Sequence, residues 1–124
     1  MKKILVLVTL ALALPFHAFA DDKAPWEGTY KPIKGKYEIY GGSLHEQKAP
    51  GRNDSKVAFR VEGTAAKDMF DAMQPDEKLK CTDAAGYRER RKDNLFCTYE
   101  TDSGYNCYFG FDLRTGKSIG GASC

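Results

Sequence analysis

Few residues in this chain are suited to catalysis. Ser43, His45 and Glu46 place a hydroxyl, an imidazole and a carboxylate close together, and these groups perform acyl transfer in catalytic triads. Their spacing matches no recognised arrangement, and the turn at Asn53-Asp54 adds only further oxygen ligands for a metal ion. No glycine-rich loop follows a strand and opens a helix, as a phosphate site requires. We therefore predict no catalytic residue, no metal site and no cofactor.

The four cysteines have a clearer expected chemistry. Cys81, Cys97, Cys107 and Cys124 include no two that lie close together in the sequence, whereas zinc sites usually contain a closely spaced pair. In an exported protein such cysteines form disulfides, each of which stabilises the fold by about 2–4 kcal/mol. We therefore predict two disulfides.

The pairing of these cysteines stays open, because four cysteines allow three connectivities. A hairpin that turns at Thr115-Gly116 places Cys107 opposite Cys124, at a separation that a disulfide bridges. This register favours the pair Cys107–Cys124, which leaves Cys81 for Cys97. The alternative pairs Cys97 with Cys107 across the preceding hairpin and leaves Cys81 for Cys124.

One stretch carries side chains suited to binding. Arg88, Arg90, Arg91 and Lys92 form the sharpest charged feature of the chain, and such a run attracts acidic proteins, phosphate groups or anionic glycans. The alternative is a solvated strand face whose charges keep sheets from pairing with one another. Tyr and Phe number seven each, and Tyr and Arg together are enriched at protein interfaces. We treat these four basic residues as candidate binding residues.

A second candidate site is a predicted hairpin loop that contains Ser103-Gly104-Tyr105. In size, disulfide content and β-rich texture the chain resembles the small cysteine-bridged periplasmic inhibitors of cell-wall lytic enzymes. The string Ser103-Gly104-Tyr105 is the local point of similarity. The resemblance implies that residues 102–105 insert into a partner, which makes Ser103 and Tyr105 candidate binding residues.

The first twenty residues have the layout of a cleaved secretory signal peptide. Their apolar run follows Lys2 and Lys3 and is too short for a stable membrane span. The whole chain has 19 basic and 17 acidic residues, so removing the two lysines leaves 17 of each. A formal net charge of zero argues against a nucleic-acid partner. We predict a signal peptide over 1–20, a flexible lead-in over 21–34 and a folded domain over 35–124, in the periplasm or secreted.

Elements that would position these residues can be read from the apolar periodicity. Val57, Phe59 and Val61 alternate with polar residues, which is typical of a strand with one buried face in an antiparallel sheet. The stretch AAKDMFDAM instead places its apolar residues on one helical face, with Thr64 as the expected N-cap. Odd-numbered residues of 105–113 form a continuous apolar stripe. We expect this stripe to be the floor of the core, on which so short a helix must pack.

The patterns predict one small α+β domain. A single short helix packs on a bent antiparallel sheet of about five or six strands, held by two disulfides, with a strand around Cys81 and a final edge strand over 118–124. The expected function is a small exported, non-enzymatic binding module, such as an inhibitor, an immunity-type protein or an accessory factor acting on another exported or envelope protein. Two alternatives stay open. One is a small glycan-active hydrolase with paired carboxylates, which are recognised by their distance in the fold; the other is a structural protein of the envelope.

Overall fold

The computed structural model describes residues 26–124, and Lys31–Cys124 forms one compact unit. The predicted signal peptide lies outside the described residues. Within them the secondary structure consists of β1 (Lys34–Gly42), β2 (Gln47–Lys48), β3 (Lys56–Glu62), α1 (Gly63–Ala72), β4 (Arg88–Lys92), β5 (Leu95–Glu100), β6 (Gly104–Asp112) and β7 (Ser118–Ile119). The predicted α+β class, with one short helix on an antiparallel sheet, is confirmed.

All the strands belong to one antiparallel sheet in the order β2-β1-β3-β6-β5-β4, with β7 paired to β6. β6 lies at the centre because it pairs with β3 along seven residues on one side and with β5 on the other. β7 occupies the remaining length of that second side, opposite Gly110 and Phe111. The five longer strands match the expected number, and the two-residue strands β2 and β7 complete the sheet.

Helix α1 follows β3 without a loop and packs back on the sheet. Gly63 makes this turn with a φ of +67°, a conformation that costs glycine little. The N-cap is therefore Glu62, which is extended and makes no side-chain cap hydrogen bond, so the prediction of Thr64 as the N-cap was wrong. The core cluster between α1 and the sheet consists of Val61, Ala66, Phe70, Met73, Cys97 and Cys107.

Segments without regular secondary structure lie against the face of the sheet that does not carry α1. The backbone nitrogen of Cys81 donates to Oε2 of the buried Glu89 at 2.9 Å, and the Tyr87 hydroxyl donates to the same oxygen at 3.0 Å. The tail after β7 runs directly against β6. A Cβ atom on Gly121 would lie 2.4 Å from the backbone nitrogen of Phe109, so this close approach requires glycine.

The two disulfides are Cys97–Cys107 and Cys81–Cys124, so the favoured pairing of Cys107 with Cys124 was wrong. Cys97 and Cys107 are direct partners across β5 and β6, with their Cα atoms 4.1 Å apart. The observed register, with Gly110 opposite Ile119, would bring Cys124 opposite Tyr105 and not Cys107. β5 already occupies that side of Cys107, and β7 itself ends at Ile119. The edge strand expected over 118–124 is thus only two residues long. Cys81 lies in an irregular segment, so the strand expected around it is also wrong.

Candidate functional site

The face of the sheet that carries α1 is organised in rows across the strands. Directly opposed residues of an antiparallel sheet project to the same side, and the register places Val61 of β3 beside Cys107 of β6, under the helix. The next row contains Tyr37, Phe59 and Phe109. The row beyond it contains Ile39, Val57 and Phe111. These two rows extend past the helix, toward the carboxyl end of β6.

Apolar side chains in these rows reach solvent, and we call them the aromatic patch: Tyr37, Ile39, Phe59, Phe109, Phe111 and Leu113. The exposed fractions are 70% for Tyr37, 42% for Ile39, 39% for Phe111 and 51% for Leu113. Leu113 belongs to the patch because its backbone nitrogen donates to the Ser55 carbonyl at 2.9 Å, which continues the β3–β6 register. Contiguous exposed apolar surface of this kind marks an interaction site in soluble proteins.

The rings of the patch support one another. Phe59 stacks on Phe109 with 5.2 Å between ring centroids, and it lies 6.4 Å from Tyr37 and 6.5 Å from Phe111. Phe109 and Phe111 meet edge to face at 6.3 Å. These distances lie within the range of favourable aromatic pairs. The four rings of the patch therefore form one connected set of aromatic contacts, and we call this set the platform.

A small groove adjoins the platform on its helix side. It has a volume of about 170 Å³ and is lined by Ile33, Gly35, Tyr37, Phe59 and Val61, together with Lys36 and Arg60. Gly35 is the register partner of Val61, and a Cβ atom on it would lie 2.5 Å from the Arg60 carbonyl oxygen, so the close backbone approach beside the groove requires glycine. A single apolar side chain of a ligand could enter here while the rest of the ligand lies on the exposed rings.

The basic run predicted as a binding site is divided between the two faces of β4. Arg88 and Arg90 point toward the helix side, where both bond to Asp76. Arg88 donates to both carboxylate oxygens at 2.8 and 3.0 Å, and Arg90 donates at 2.7 Å. Arg90 also donates to the carbonyl of Phe70 at 2.6 Å and lies over the Phe70 ring. These two arginines thus fasten the end of α1 to β4.

This ion pair has an electrostatic signature. Hydrogen bonds from Arg88, and to a smaller extent from Arg90, stabilise the carboxylate and lower the pKa of Asp76 from the usual 3.8 to about 2.

The other two basic residues of the run have different surroundings. On the face of β4 away from the helix, Arg91 donates to Glu89 at 3.3 Å and lies over the Phe96 ring. Lys92 is exposed. The binding role expected for this run stays a prediction, and Lys92 is its most accessible member.

Ser103 and Tyr105 of the predicted hairpin loop have different surroundings. The Ser103 hydroxyl is exposed and donates to the Glu100 carboxylate at 3.2 Å. Tyr105 is partly buried, with its ring 5.3 Å from Phe70 and 4.8 Å from Tyr99. The structure therefore brings Tyr105 beside the helix and Ser103 to the surface, rather than presenting both on one loop tip. Their insertion into a partner stays a prediction.

Two further hollows have charged residues in their linings. A groove of about 340 Å³ on the opposite face is lined by Lys36, Glu38, Ala58, Arg60, Tyr108 and Gly121, with Tyr37 and Phe59 at its side. Burial there raises the pKa of Tyr108. A second hollow of about 220 Å³ has Glu100 and Asp102 in its lining. The hydrolase alternative stays a prediction, and these two carboxylates are the place to test it.

Sequence reasoning missed the aromatic patch because it assigned the whole apolar stripe to the core. The lengths of the predicted elements could have indicated the patch. The helix has ten residues and is about 15 Å long, whereas the nine residues of β6 extend over about 30 Å. So short a helix, about 10 Å wide, leaves part of the stripe uncovered.

Comparisons of this chain with protein-family models, curated proteins and solved structures gave no match. Within residues 26–124, no helix has the length and apolar character needed to span a membrane. In that same part of the chain, no three His, Cys, Asp or Glu side chains are grouped as metal ligands.

Proposed function

We propose that this protein is a small exported binding module, without catalytic activity, that docks on another exported or envelope protein through the aromatic patch. The observation that carries the proposal is the end of the helix-bearing face that no other described segment covers, where Tyr37 and Ile39 of β1 and Phe111 and Leu113 at the end of β6 are exposed on either side of β3. Keeping such side chains in water is unfavourable unless a partner buries them. The module acts as an inhibitor, an immunity-type protein or an accessory factor.

The chemistry of the patch supports a partner with an apolar surface. Its centre is aromatic and rigid, as is typical of the energetically dominant part of protein interfaces. The adjoining groove of about 170 Å³ accepts one apolar side chain. We therefore expect the partner to present an apolar segment with one protruding aliphatic or aromatic residue.

The disulfides support the exported part of the proposal. Both pairs are formed, and disulfides persist in oxidising compartments such as the periplasm and the extracellular space. The signal-peptide layout of residues 1–20 agrees with that destination. A domain of about a hundred residues buries a limited core, so the cross-links stabilise a fold that leaves one apolar face open.

The proposal is tested by affinity capture with matched baits. Oxidised domain beginning at residue 21 is cross-linked in an envelope extract as wild type, as Phe111→Ser with Leu113→Ser, and as Leu79→Ser. Leu79 is an exposed apolar residue outside the patch, so its variant controls for non-specific apolar capture. We expect one stoichiometric protein that wild type and Leu79→Ser retain and that the patch variant loses.

A further bait separates the patch from the sites predicted by sequence. It carries Lys92→Ala and Ser103→Ala, which remove the two exposed members of those sites. A partner that this bait loses and the patch variant keeps would contradict the proposal and place the interface at the basic run and hairpin loop. Circular dichroism of each bait establishes that it is folded before capture.

A further inference from the structure

Within the part of the chain that the structure describes, one side of strand β1 is open. β2 pairs only with Gly41 and Gly42 at the end of β1, whereas β3 covers the other side of the strand over Lys34–Tyr40. The first six residues of β1 are all exposed. An unpaired edge of this length presents backbone donors and acceptors to which another strand can add.

The sequence of this open edge is complementary to itself. The unpaired stretch runs from Lys34 to Tyr40, and its midpoint is Tyr37. If a second copy of β1 pairs with it antiparallel about Tyr37, Lys36 lies opposite Glu38 of the second copy, and Glu38 lies opposite its Lys36. Opposite charges in directly opposed positions stabilise antiparallel strands. Gly35 then faces Ile39 of the second copy and leaves room for that side chain.

We propose that this open edge of β1 binds a second copy of the same chain, by antiparallel pairing of β1 with β1 about a two-fold axis at Tyr37. The pairing joins two sheets into one, and it brings Lys36 and Glu38 together twice. Glu38 accepts a hydrogen bond from Gln47 through Oε1 at 2.6 Å, so its other oxygen can accept from Lys36 of the second copy. Such an interface uses the same surface on both copies and is therefore closed.

The opposite edge of the sheet, β4, is less suited to pairing with a second copy. β4 has the sequence RERRK. Pairing it with itself about Arg90 would set Arg88 against Lys92 twice and Arg90 against itself, and these three repulsive pairs outnumber the two attractive pairs of Glu89 with Arg91. The edge is also partly occupied, because the backbone nitrogen of Glu77 donates to the Glu89 carbonyl at 2.7 Å. Like charges in opposed positions disfavour pairing. Of these two edges of the described sheet, the β1 edge is therefore the one favoured for self-association, which limits the proposed assembly to two copies.

Dimerisation extends the aromatic face across the two-fold axis. The axis is perpendicular to the sheet, so both patches lie on the same side of the joined sheet. The row of Tyr37, Phe59 and Phe109 continues directly into the same row of the second copy. The dimer does not depend on the proposed docking function, because the charged pairs of Lys36 with Glu38 that set its register project from the opposite face of β1.

Charge reversal tests the register of this pairing. The oxidised domain is studied by sedimentation velocity over a concentration series as wild type, Lys36→Glu, Glu38→Lys, and an equimolar mixture of the two variants. We expect a wild-type dimer and an increase of about tenfold or more in the dissociation constant of each variant alone, because two attractive pairs become repulsive. The mixture should recover dimers, since every opposed pair is again of opposite charge.

Two controls test whether the effect is specific to the β1 edge. Lys78→Glu changes the net charge equally at an exposed site in the segment after α1, and it should dimerise like wild type. Amide hydrogen exchange should show protection of residues 34–40 that increases with wild-type concentration. A monomeric wild type at its highest soluble concentration would overturn the proposal. So would a dimer that both variants retain, or assemblies larger than two.

Discussion

Asp76 shows how a single carboxylate can determine the role of a basic run. It accepts hydrogen bonds from Arg88 and Arg90, and Arg90 is only 8% exposed. A buried guanidinium requires such a partner, because an unpaired charge away from water is strongly unfavourable. The same arginine donates to the Phe70 carbonyl, so the ion pair also secures the carboxyl end of α1.

Replacing this carboxylate should lower stability in a pH-dependent way. We expect Asp76→Asn to reduce the free energy of unfolding by about 1–3 kcal/mol at pH 7, the range for leaving a buried hydrogen-bonding group without its partner. The low end applies if solvent screens the pair, since the Asp76 side chain is 38% exposed. Urea unfolding of both proteins at several pH values measures this difference.

The sign of the pH effect follows from the pKa of Asp76, which is lowered from 3.8 to about 2 in the fold. A lowered pKa stabilises the folded state fully above the unfolded value, and this contribution is lost as the pH falls through the folded value. The difference between wild type and Asp76→Asn should therefore be constant near neutrality and shrink between pH 4 and pH 2. The exposed Asp83→Asn serves as control; an equal loss there would refute a specific role for Asp76.

The sequence identified the basic residues at this scale but not their partner. Asp76 lies in the segment after α1, 12 and 14 residues before the two arginines, and no local pattern predicts that distance in space. The charges of the run are visible in the sequence, whereas their neutralisation depends on where the helix ends.

At the scale of elements, α1 divides the apolar face of the sheet into a core and an exposed patch. Phe70 is its principal anchor: the ring is fully buried against Tyr105 and lies under the guanidinium of Arg90. Met73 and Ala66 complete the contact with the sheet. A helix of this length is unstable alone in water, so it depends on this contact.

Removing the Phe70 ring should therefore detach the helix. We expect Phe70→Ala to lower the free energy of unfolding by about 3–5 kcal/mol, the usual effect of emptying a buried aromatic site. Urea denaturation should show a lower midpoint, with Asp68→Ala on the exposed side of α1 as control. A loss below about 1 kcal/mol, the size of an ordinary single-site effect, would contradict the assignment of Phe70 as the anchor.

Elements with a clear local period were predictable from the sequence, and elements without one were not. The alternation in β3 and the helical face of α1 are set by neighbouring residues, and both are present. The segment around Cys81 has too little apolar periodicity to join the sheet, and a side-chain carboxylate of Glu89 accepts its backbone donor instead. The aromatic patch escaped prediction because coverage by a helix depends on packing, which periodicity does not describe.

At the scale of the whole molecule, the two disulfides stabilise different parts of the fold. Cys97–Cys107 lies under α1 within the core. Cys81–Cys124 joins the segment after the helix to the tail and closes a 43-residue separation. Their pairing was not predictable from spacing, since one turn that shifts the register changes which cysteines face each other. The register that pairs Gly110 with Ile119, together with the pairing of β5 and β6 at Cys107, decided the outcome.

The different burial of the two disulfides predicts stepwise reduction. Cys97 and Cys107 are fully buried, whereas Cys81 and Cys124 are exposed, and thiol exchange requires access to a sulfur atom. A mild thiol reductant without denaturant should therefore open Cys81–Cys124 first. Alkylation and mass spectrometry should find label at Cys81 and Cys124 while Cys97–Cys107 stays intact.

The singly reduced protein should keep its fold but be less stable. Opening a cross-link of 43 residues removes about 4 kcal/mol by the chain-entropy relation, and urea denaturation of the alkylated species measures that loss. Adding denaturant should expose the buried pair and allow both disulfides to be reduced together. Equal labelling of all four cysteines under native conditions would contradict the burial of Cys97–Cys107 beneath α1, because that core would then have to open as readily as the tail.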